Sequence, residues 1–86
     1  MGVPVTATEV DLLAELQELH RECHRLNRKI ELAVLRQRFS SDPEEVRRGA
    51  AEEQKWLQEL DHRMTRLRAV ESHLKRVEEG VPTVLH

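Results

Sequence analysis

Ser40-Ser41-Asp42-Pro43-Glu44-Glu45 is the stretch that decides how this chain folds. Asp42 can accept hydrogen bonds from the free amides that open a helix, and Pro43 suits a first helical turn, where no amide donor is needed. Glu44 and Glu45 put negative charge at the positive end of that helix, and Glu45 stands where it completes a capping box with Asp42. A residue before proline is pushed out of helical space, so the same stretch ends the helix before it. A second signal, Glu79-Gly80-Val81-Pro82, closes the second helix: Gly80 can take the left-handed conformation of a helix end, and Pro82 blocks resumption.

Working outward, the chain divides into an N-terminal flexible segment (1–7), a helix (8–39), a tight turn (40–42), a second helix (43–79) and an extended tail (80–86) with Val81, Val84 and Leu85. The helical part, 8–79, is one domain. At 1.5 Å per residue the helices would span about 47 and about 55 Å. So short a connection folds them back as antiparallel neighbours.

Periodicity supports this. Leu12, Leu16, Leu19, Cys23, Leu26, Ile30 and Ala33 recur at alternating steps of four and three, an unbroken heptad seam. In the second helix Val46, Ala50, Glu53, Leu57, Leu60, Met64, Leu67, Glu71 and Leu74 obey the same rule, with Glu53 and Glu71 as polar interruptions. Antiparallel pairing about the turn sets side by side residues whose numbers add to about 82, which brings Glu53 near Lys29. The fold class is therefore all-α: an antiparallel two-helix hairpin, coiled-coil-like.

One seam does not use up the apolar residues. Leu13 and Val34 lie on one flank of helix 1, with His20 and Asn27 between them. Trp56, Val70 and Val77 lie on a flank of helix 2, and Leu32, Leu35 and Phe39 form a stripe on the back of helix 1. These eight apolar residues form the expected protein interface. Trp56 reads equally well as a binding hot spot or as cover for the stems of Glu22 and Lys29. A hairpin with such a surplus is expected to be completed into a three- or four-helix bundle, by self-association or by a partner.

Composition agrees. Charged residues make up 35% and apolar ones 38%, and aromatics reduce to Trp56 and Phe39. That is the profile of long, solvent-lapped helices. A net charge of −2 argues against a dedicated nucleic-acid binder, and no apolar run reaches membrane-spanning length. The N-terminus lacks a signal-peptide core, and Met1-Gly2 with Thr6 is a weak myristoylation pattern without a basic cluster behind it. The lone Cys23 suits a reducing intracellular setting, cytoplasmic or nuclear.

Candidate chemistry is thin. Cys23 with His20 and His24 suggests a nucleophile, yet a seam cysteine serves as a small hydrophobe and no glycine loop or oxyanion hole accompanies it. His20, Cys23, His24 and His62 have a loose resemblance to a zinc set, but the heptad turns Cys23 inward and His24 and His62 outward. Arg21, Arg25, Arg28, Lys29, Arg36 and Arg38 suggest a phosphate-binding face, but Glu22 and Glu31 interleave with them, and cations suit a helix C-terminus. No catalytic residue, metal or cofactor is expected. The expected function is a non-enzymatic interaction subunit, an adaptor or scaffold, joining itself or partner helices. The runner-up is a small chaperone that shields an amphipathic helix of a client protein.

Overall fold

The computed structural model describes residues 7–79, with side chains from 8 to 77. The readings of 1–6 and of the tail from Gly80 to His86 lie outside the described residues. Two helices account for the rest: α1, Ala7–Phe39, and α2, Pro43–Glu79. They pack along their whole lengths as an antiparallel hairpin, 65 × 24 × 14 Å in extent, a single layer of helix pair.

The turn is built locally. The Ser40 amide continues α1 by donating to the Arg36 carbonyl at 3.1 Å, where Arg36 and Arg38 also meet the negative end of the helix. Asp42 caps α2: its Oδ1 accepts from the Glu44 amide at 3.0 Å, while its carbonyl accepts from Val46. The expected capping box is only half present. The Asp42 amide donates to Ser40 Oγ at 3.1 Å, so serine takes the place Glu45 was to fill.

The buried core comprises Leu12, Leu19, Cys23, Leu26, Ala33, Leu67, Val70 and Leu74, with Leu16, Leu60 and Met64 packed against it. No polar side chain is buried among the described residues. The seam of α1 is the one its heptad spells out. That of α2 is rotated.

Val70, expected on an outward flank, is 1% exposed and sits in the middle of the core, whereas Leu57, expected in the seam, is 39% exposed and Glu71 lies in solvent. The face of α2 turned to α1 runs Val46, Gly49, Glu53, Trp56, Leu60, Arg63, Leu67, Val70, Leu74 and Val77, every one buried or half-buried. This too is a heptad. It shares Val46, Glu53, Leu60, Leu67 and Leu74 with the expected one and replaces each intervening position by the residue before it. The physical reason is clearest at 70 and 71, where the alternative buries a carboxylate in place of a β-branched hydrocarbon.

The pairing register also differs from the simple fold-back. Glu53 accepts from Gln37 Nε2 at 2.7 Å, and Lys29 instead places its ammonium 4.2 Å from the Trp56 ring centroid. Near the turn the helices touch closely at Gly49. A Cβ on Gly49 would lie 3.0 Å from Gln37 Cγ and 3.1 Å from the Ala33 carbonyl oxygen.

Candidate protein-interaction site

A hairpin of one layer presents two edges and two backs, and their chemistry differs sharply. On one edge, Glu15, Glu22, Lys29 and Arg36 recur every seven residues along α1, and each meets a partner on α2. Glu15 accepts from Arg66 through both carboxylate oxygens, at 2.6 and 2.9 Å. Glu22 accepts from Arg63 Nε at 2.6 Å, Lys29 lies over Trp56, and Arg36 donates to Glu52 at 2.5 Å. Trp56 is also approached by Lys55 at 4.8 Å, so two ammonium groups lie against its ring. It serves as a half-buried seam residue whose ring already has partners within the chain. Between the pairs, Glu15, Glu18, Glu22, His62 and Arg66 line an open hollow of about 700 Å³.

The opposite edge is bare. Leu13, His20, Asn27 and Val34 on α1 and Ala50, Leu57, Met64 and Glu71 on α2 also recur every seven residues. Among the described residues no ion pair crosses between the helices here, and no hydrogen bond other than the weak one from the Cys23 thiol to Met64. The one directed contact near it joins the Cys23 thiol to the Met64 thioether, sulfur to sulfur at 3.8 Å. Leu13 is 43% exposed and Val34 half-buried.

The back of α1 carries the stripe. Leu32, Leu35 and Phe39 are 59, 46 and 79% exposed, and Leu32 and Leu35 line a shallow hollow with His24, Arg28 and Glu31. Of the eight residues expected at an interface, Leu13, Leu32, Leu35 and Phe39 stand in water, and Val34 and Val77 are half-covered. Val70 and Trp56 belong to the hairpin itself. Two exposed apolar residues were missed: Leu57, assigned to the wrong half of the α2 heptad, and Val10, at 52% exposure on the first turns of α1.

The pairs on the closed edge have an electrostatic signature. The Arg66 guanidinium, chiefly by its hydrogen bonds, holds the Glu15 carboxyl below its ordinary value of 4.5; desolvation opposes this, and the arginine's charge adds the least. A carboxyl whose folded pKa is depressed stabilises the fold above its unfolded pKa and loses that contribution as pH falls through the carboxylate range. Acidification from neutral pH is therefore expected to lower the melting temperature. Glu15→Gln should flatten part of that fall in melts followed by circular dichroism, and a slope identical to wild type would show the pair to be without effect.

Cys23 offers no poised nucleophile. It is buried in the seam, and burial first, then the neighbouring Glu22 charge, push its thiol above the ordinary value, with Arg63 opposing. His20, His24 and His62 are exposed, and among the described residues no group of three or more His, Cys, Asp or Glu side chains is placed to hold a metal ion. No described helix is long and apolar enough to cross a membrane. Comparison with protein-family models, with curated proteins and with solved structures finds no match to this chain.

Proposed function

We propose that the chain is a non-enzymatic interaction subunit, an adaptor or scaffold element whose hairpin joins itself or partner helices in a larger bundle. One observation carries this: Leu32, Leu35 and Phe39 at helical spacing on the back of α1, and Leu13 and Leu57 on the bare edge, all remain exposed to solvent. Scattered exposed apolar residues are ordinary, but aligned ones mark places where another helix can bury them. The buried lone thiol of Cys23 supports an intracellular setting.

The bare edge is the surface suited to a second copy of the chain. Its polar members, His20, Asn27 and Glu71, are few and of mixed character, so two such edges can meet without stacking like charges. Light scattering at rising concentration should give a mass above the 10.1 kDa of one chain. Leu13→Lys with Leu57→Lys should return it to monomer while leaving the far-ultraviolet helix signal intact. A mass that stays monomeric in the wild type sinks self-assembly and leaves partner helices alone as the occupants.

A further inference from the structure

Arg21, Arg25, Arg28, Leu32, Leu35 and Phe39 follow one another along α1 at steps of four, three, four, three and four, all of them exposed. They form a second heptad ridge on the side of α1 turned away from α2, basic over its first half and apolar over its second. At about 1.5 Å per residue it extends for roughly 27 Å, enough for five turns of a facing helix. The cations on it are largely unspent. Arg21 reaches Glu18 at 3.2 Å, but among the described residues Arg25 and Arg28 have neither hydrogen bond nor ion pair, while Arg36, Arg63 and Arg66 on the closed edge all have carboxylate partners.

We infer that this ridge docks an amphipathic helix of a partner protein, apolar where it meets Leu32, Leu35 and Phe39 and acidic where it meets Arg25 and Arg28. The inference rests on the reading of the chain as a helix-binding subunit and names the chemistry of one partner. Charge complementarity selects the occupant. A second copy laid parallel sets each arginine against itself, and one laid antiparallel along the full ridge sets Arg21, Arg25 and Arg28 on Phe39, Leu35 and Leu32, which covers three cations with hydrocarbon and gives them no anion. An antiparallel copy restricted to the apolar half overlaps over only about 10 Å of helix, too little for the ~1,200 Å² that a stable interface buries. A carboxylate-bearing helix meets none of these objections. Polyanions fit less well, because Glu18, Glu22 and Glu31 border the basic half and the chain's net charge is −2.

The test uses the whole chain and three synthetic helices of about 24 residues, each with leucine at heptad positions in one half. The other half carries glutamate, glutamine or lysine at the same positions. Fluorescence anisotropy of labelled peptide reads affinity at low salt. The glutamate peptide should bind about tenfold more tightly than the glutamine one, and the lysine peptide most weakly. Arg25→Glu with Arg28→Glu should invert that order, and Leu35→Lys with Phe39→Lys should abolish binding of all three. Circular dichroism confirms that each variant keeps its helices. Equal affinity for all three peptides, lost in the Leu35/Phe39 variant, overturns the acidic partner while sparing the helix-binding reading. Binding of none of them overturns both for this ridge. Tighter binding to phosphatidylglycerol vesicles than to the glutamate peptide, lost on the Arg25/Arg28 reversal, assigns the ridge to a lipid surface instead. A doubled chain mass removed by that reversal assigns it to a second copy.

Discussion

Val70→Asp should unfold most of the chain at 25 °C, whereas Leu57→Asp should leave it folded. Val70 is the most completely buried large side chain of the hairpin and touches the cluster of Leu12, Leu19, Cys23, Leu67 and Leu74. An aspartate there brings an unpaired carboxylate into hydrocarbon, and among the described residues no basic side chain is buried nearby to receive it. A buried charge without a partner costs about 3–5 kcal/mol, a large share of the stability available to so small a fold. Leu57 is already part in water, so its replacement costs no more than about 1 kcal/mol. Denaturant titration followed by Trp56 fluorescence measures both. If the two variants exchanged behaviour, the seam of α2 would run through Leu57 and not through Val70.

Gly49→Leu is expected to lower the melting temperature by about 10 °C. The new side chain has no room: its first carbon already meets the Ala33 carbonyl and Gln37 Cγ within 3.1 Å. The backbone of α1 can yield only if the helices part, and Gln37 would also lose its bonds to the Ala33 carbonyl and to Glu53. Overpacking of this kind costs about 1–3 kcal/mol, while leucine recovers part of it through higher helix propensity. Gly49→Ala separates the two effects, since its methyl gains about 1 kcal/mol of propensity against a contact a few tenths of an ångström too close. A leucine variant as stable as wild type would mean that the approach at the turn is slack.

These two positions also mark where sequence alone stops. The turn, both helix boundaries near it and the α1 seam were legible because Asp42-Pro43 and an uninterrupted heptad point the same way. The phase of α2 was not, because two interleaved heptads share Val46, Glu53, Leu60, Leu67 and Leu74 and both continue through apolar residues. Ala50, Leu57 and Met64 look more core-like than Gly49 and Arg63. The clue lay in Glu71 beside Val70, and in Glu22 waiting on α1 for Arg63. The exposed stripe at Leu32, Leu35 and Phe39 was visible from spacing. Its basic continuation through Arg25 and Arg28 was masked, because dipole complementarity and neighbouring glutamates explained those arginines one at a time.

The hairpin is bound like a book. Most of the polar stitching described between its helices runs down the spine formed by Glu15, Glu22, Lys29 and Arg36, with Gln37 on Glu53 beside the turn, while the fore-edge along Leu13, Val34, Leu57 and Met64 is held by apolar contact and the Cys23 thiol on Met64. Salt and acid loosen the spine, while cold and mild denaturant loosen the fore-edge, since hydrophobic contact weakens on cooling and ion pairs screen with ionic strength. Opening at the fore-edge leaves the stitched side as a hinge. If the proposed partner helix were to enter between the two, this is the side that would yield to it.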